Sequence, residues 1–132
     1  MDTQGTPTKI DLEHSESKVV FYICDCSLDK KYSFYDMSRE DATMFLKKLL
    51  HIEKLTWVQF ANLPRKNGLT PEKQNSPNFE LIHNQNTSAR KIVEQYYFHF
   101  RVEQKDLFRI FGYQRDQLFC ITHIDPNGKI NH

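Results

Sequence analysis

The side chains best placed for chemistry are cations set inside apolar runs near the C-terminal end of the chain. Arg101 lies between Phe100 and Val102, and Arg109 lies between Phe108 and Ile110. If two strands pair about a turn near residues 104–106, the two arginines become near neighbours across the pair. Like charges so placed repel unless an anion or a carboxylate lies between them. Glu103 or a phosphate could fill that position; on the alternative reading, Arg101 and Arg109 pair with Glu103 and Asp106 on a wet face. Tyr97, His99, Tyr113 and Arg115 add rings and charge to the same region, a mixture that suits single-stranded RNA. His123-x-Asp125, with Lys129 and His132 beyond, sits at a strand end and the turn after it. These groups could transfer a proton or ligate a metal, or Asp125 could simply cap its own turn.

Other motifs are excluded by spacing. The four glycines are dispersed and form no phosphate loop, and there is no HExxH or GxSxG. Cys24-x-Cys26 lacks the two-residue spacing and second pair of a zinc knuckle, and both thiols are expected on one strand face. No metal and no cofactor is expected. Three cysteines make no disulfide framework, which points to free thiols in a reducing cytoplasm. No apolar run approaches 18 residues, and the polar, acid-bearing N-terminus reads as neither a signal nor a transit peptide.

The elements that must carry these groups follow from pattern. Residues 1–17 are polar and unpatterned and read as a flexible tail, leaving 18–132 as a single domain. Val19–Cys24 is a β-branched and aromatic run expected to form a strand, with Tyr32–Phe34 as its return in a hairpin. Ser38-Arg39-Glu40-Asp41 opens a helix whose apolar positions Ala42, Phe45, Leu46, Leu49 and Leu50 keep helical spacing. Thr56-x-x-Gln59 is a capping box that starts a second, short helix stopped by Pro64. Trp57 is expected to pack against the first helix.

Residues 64–78 hold three of the five prolines and read as a long loop. Phe79–Ile82 reads as a brief ordered piece, and Thr87 or Ser88 as the cap of a short helix over 89–94. Tyr96–Glu103 alternates, with Phe98, Phe100 and Val102 on one face and His99 and Arg101 on the other. Leu107–Tyr113 and Leu118–Ile124 complete a three-stranded antiparallel meander, followed by the turn Asp125-Pro126-Asn127-Gly128. Helices in one block and antiparallel strands in another make an α+β domain. Eighteen Lys and Arg against seventeen Asp and Glu, evenly spread, give no bulk basic field.

Phe108-Arg109-Ile110-Phe111-Gly112-Tyr113, followed by Leu118-Phe119-Cys120-Ile121-Thr122-His123-Ile124-Asp125, resembles the RelE/ParE-like toxins of bacterial toxin–antitoxin systems. The resemblance covers roughly residues 79–130 and implies a RelE/ParE-like arrangement of helices on the meander. For the RNA-cleaving branch it implies metal-independent cutting of messenger RNA in the ribosome. A base takes the ribose 2′-OH proton, cations steady the phosphorane, and an acid protonates the departing oxygen. On this reading Arg109, Lys129 and Tyr113 are the catalytic candidates, and Arg101, Arg115, His99 and His123 bind RNA. Arg109 matches the family's central-strand arginine by motif; Tyr113 and Lys129 are candidates by location alone, and no residue matches the family's C-terminal catalytic tyrosine. The chain departs from the family in its greater length, its own N-terminal elements and its near-neutral charge. A cognate antitoxin covering the cationic groove is the implied partner, and no membrane is. The arginines and Lys129 are then expected to converge on one concave sheet face. Two other readings stay open: a noncatalytic interaction domain of this or another α+β fold, and a gyrase-directed toxin of the ParE kind.

Overall fold

The computed structural model describes residues 10–32, 34–64, 66–87, 96–102 and 107–130. Five strands form one mixed sheet in the order β1-β5-β4-β3-β2. They are β1 (Val20–Tyr22), β2 (Thr70–Pro71), β3 (Tyr97–Arg101), β4 (Arg109–Arg115) and β5 (Leu118–Asp125). Three helices accompany them: α1 (Arg39–Glu53), α2 (Trp57–Ala61) and α3 (Pro77–Gln85). The architecture is α+β, and β3, β4 and β5 form the expected antiparallel meander. Arg115 and Leu118 pair across a two-residue connection in which Asp116 takes a positive φ of 56°, a backbone twist that suits tight hairpins.

Both capped helices form where their signals lie. Ser38 Oγ accepts from the Asp41 N–H at 3.1 Å, with Glu40 and Asp41 in the first turn. In α2 the Gln59 N–H donates to Thr56 Oγ1 at 3.2 Å, and the Thr56 N–H donates to Gln59 Oε1 at 2.9 Å. Two orphan donors at the helix start are thus satisfied reciprocally.

Several expectations are corrected. Among the described residues the N-terminal hairpin does not form: Lys30–Tyr32 and Phe34–Asp36 are short 3₁₀ turns, and β1 pairs in parallel with β5 instead. The expected Cys24–Cys26 strand end is a tight turn, closed by the Cys26 N–H on the Ile23 carbonyl. Chain 10–17 is not a loose tail. Ile10 is buried, Asp11 caps a 3₁₀ turn over Leu12–His14, and the carbonyls of Ser15 and Ser17 accept from the Val58 and Trp57 N–H groups. The 64–78 segment contains β2, and the piece at 79–82 belongs to the nine-residue α3. Pro77 stands at the first turn of α3, where its missing N–H costs nothing, and Ser76 caps it. The helix expected over 89–94 and the turn at 104–106 lie outside the described residues.

The two faces of the sheet are built differently. Under α1 and α2 lie Phe98, Phe100, Ile110, Phe119, Ile121 and Ile124 with Trp57 and Phe60. Trp57 is buried as expected, but its ring stacks on Phe119 of β5 at 6.2 Å and its indole N–H donates to the Gln117 carbonyl at 2.8 Å. The opposite face carries Tyr97, Phe111, Tyr113 and Cys120 beneath Ile82 and Phe79 of α3. A bulge between Phe111 and Gly112 leaves Thr122 as the extra residue of β5. At Gly112 the strands approach so closely that a Cβ would lie 2.2 Å from the Cys120 carbonyl oxygen.

Candidate functional site

Register and alternation put every candidate from the meander on the α3 side of the sheet. Arg101 and Arg109 are direct cross-strand partners, and Arg109 is in turn opposite Asp125. The adjacent row runs His99, Phe111, His123. Two charged strand residues of one sign therefore lie side by side, as the spacing predicts, with a carboxylate completing the row.

Glu72 joins this end from the stretch after β2. Its N–H donates to the Tyr97 carbonyl at 2.9 Å, which carries the pairing one residue beyond Pro71. Its carboxylate thereby lies beside His99, and Oε2 bonds His99 Nδ1. The His99 side chain is 10% exposed and that of Glu72 6%, so the pair is nearly dry. A carboxylate on Nδ1 fixes the ring orientation and the tautomer. Glu72 carried no recognisable signal beyond its place in Leu69-Thr70-Pro71-Glu72, within a proline-rich stretch.

Asp125 is fully buried, and its two oxygens accept from the Lys129 and Ile130 N–H groups, each at 2.8 Å. It holds the turn Pro126–Gly128 against the sheet, with the exposed Lys129 bound to it through the backbone N–H. His123 is buried, with Nδ1 at 2.9 Å from Thr122 Oγ1 and its ring edge-on to Tyr32 at 5.3 Å. Burial pulls its pKa down to about 4, against the pull of the nearby Asp29 carboxylate. It is a neutral packing group near neutrality, not a contact for an anion.

Tyr113 belongs to a second cluster further along the same face. It is fully buried and donates its hydroxyl to Asp25 Oδ2, while Thr87 donates to Asp25 from both its hydroxyl and its N–H. Burial opposes the charge on Asp25, but the hydrogen bonds from Thr87 and Tyr113 outweigh it and hold the carboxyl below its ordinary range. Burial and the Asp25 carboxylate together push the Tyr113 phenol far up. Burial likewise raises the Cys120 thiol to about 11. Next in the row, the Tyr97 hydroxyl meets His83 Nδ1 at 2.6 Å. Asp25 carried no signal in the sequence.

The expected convergence of four cations does not form. Arg115 is at the far end of β4, with its guanidinium 4.7 Å from the centre of the Tyr22 ring. Six residue steps along the strand separate it from Arg109, roughly 20 Å. Nor is the face an open concave groove, since α3, the 25–32 segment and Ile130 lie over much of it. Arg101, Arg109 and His99 are brought to one end, with Lys129 in the turn after β5; His123 shares the His99 row but is buried, and Tyr113 and Arg115 lie further along the strands.

Among the described residues, three potential metal-ligating side chains, Asp11, Glu13 and His14, gather with their ligand atoms all within 4.8 Å of one another. Asp11 caps its own turn and His14 Nε2 lies 3.5 Å from Asp116 Oδ1, so this group has a structural account. No described helix is long and apolar enough to cross a membrane. Compared with family models, with curated proteins and with solved structures, the chain finds no match.

Proposed function

We propose that the chain is a RelE-like, metal-independent endoribonuclease whose site is the end of the sheet bearing His99, Arg101, Arg109 and Lys129. The observation that carries this reading is a carboxylate-held imidazole one residue pair away from two arginines facing each other across adjacent strands. His99 Nε2 takes the proton of a ribose 2′-OH while Glu72 steadies the imidazolium that results. The 2′ oxygen attacks phosphorus, and Arg101 and Arg109 hold the charge that builds on the phosphorane. The Lys129 ammonium protonates the departing 5′ oxygen, leaving a 2′,3′-cyclic phosphate and a 5′-hydroxyl end. Tyr113 takes no part, because its hydroxyl is committed to Asp25 inside the fold. A cognate antitoxin would act by covering the arginine row.

The sealed positions of Tyr113 and His123 favour, as a second reading, a noncatalytic interaction domain that uses the same arginine row. Inducible bacterial expression of wild type, H99A and R109A separates the two, with growth and RNA integrity followed together. Growth arrest with new 5′-hydroxyl RNA ends is expected for wild type. Loss by a factor of about 10²–10⁴ is expected in H99A, the usual contribution of a positioned base. Intact RNA with folded, soluble wild type would sink the nuclease reading, and arrest with intact RNA would redirect it towards gyrase.

A further inference from the structure

The outer side of α1 has no described partner, although it carries two leucines. Leu46 is 57% exposed and Leu50 51%, while Phe45 and Ile52 of the same helix face the core. An α-helix turns 100° per residue, so Arg39, Ala42, Leu46, Leu50 and Glu53 form one stripe centred on Leu46. Steps of three, four, four and three residues keep the near-3.5 period of a helix–helix seam. The stripe is symmetric about Leu46 in type and opposite in charge. Arg39 lies seven residues before it and Glu53 seven after, with an apolar side chain between on each side. Arg39, Ala42 and Glu53 are all exposed.

Turned end for end about Leu46, the helix is its own complement. Leu46 meets Leu46, Ala42 meets Leu50, and Arg39 meets Glu53, each of the last two twice by symmetry. A parallel pairing would instead set Arg39 against Arg39 and Glu53 against Glu53. We propose that α1 is the interface of a twofold homodimer, two copies packing antiparallel through the Arg39–Ala42–Leu46–Leu50–Glu53 stripe. The occupant is a second copy of this chain because a twofold interface requires this self-complementarity. A 15-residue helix is about 22 Å long, so the contact falls below the standard interface size and association belongs in the micromolar range.

Sedimentation over a concentration series tests this, with circular dichroism to verify folding. Wild type is expected to pass from monomer to dimer, and L46R to remain monomeric with an unchanged spectrum, since position 46 points to solvent. R39E and E53R are each expected to weaken the dimer about fivefold through two symmetric ion pairs. The double variant R39E/E53R should restore it, and both changes also suit the helix dipole, so the fold is not at risk. Wild type monomeric up to hundreds of micromolar, or a dimer indifferent to L46R, would overturn the proposal. Failure of the double variant to recover would overturn the antiparallel register.

Discussion

The two faces of the sheet bury comparable rings to opposite ends. On the α1/α2 side, Trp57, Phe60, Phe98, Phe100 and Phe119 touch one another with little polar content, and area removed from water does the stabilising. On the α3 side, Tyr97, His99, Tyr113, His123 and Asp125 are just as deeply buried, yet each has a hydrogen-bond partner. Burial of a polar group is tolerable only on that condition. The first face tolerates loss of a contact as a cavity; the second turns the loss of one partner into an orphaned charge or donor. The proposed site lies on the second face, where strand register sets His99 next to the two arginines.

The largest effect should come where the faces share a backbone. G112A places a methyl against the Cys120 carbonyl and the Phe119 ring, and backbone cannot yield there as a flexible side chain would. A loss of more than about 4 kcal/mol is expected, enough to unfold a marginally stable domain. Expression as insoluble or molten protein checks it, and a folded variant would refute the close approach. Next, D125A leaves the Lys129 and Ile130 N–H groups without their acceptor, one of them buried. About 3 kcal/mol should be lost in chemical denaturation, and with it the placement of Lys129.

The smallest effect is a pH slope. His123 is held neutral down to about 4 by burial, while an unfolded imidazole titrates near 6.5. Between those values the unfolded chain binds more protons, so stability rises with pH there and is fully present above the unfolded pKa. Acidifying from pH 7 to 5.5 should cost about 1 kcal/mol. Removal of that component in H123N, read from denaturation midpoints, would assign it to this side chain.

What the sequence makes legible is local. Ser38 and Thr56 announce α1 and α2 because a cap and its partner lie three residues apart. The strict alternation of Phe98, His99, Phe100 and Arg101 likewise announces both the meander and the arginine pair. The rest depends on distant chain. Pro77 looks like a breaker until one knows that it opens a helix. Glu72 and Asp25 become meaningful only when β3 and α3 bring His99 and Thr87 to them. Alternation separates the two faces but does not tell which is open, so Tyr113 and His123 look accessible in the sequence and are sealed in the fold.

The parallel pairing of Val20–Tyr22 with Leu118–Cys120 also sets an order of events in time. A ribosome delivers β1 long before the strand that must receive it, and the sheet's edge cannot close until β5 has emerged. Contacts so remote in sequence are slow to form. During synthesis Phe21 and Tyr22 have no sheet to join, and closure of this edge should be a late step of folding whose rate falls if the link between early and late chain is weakened.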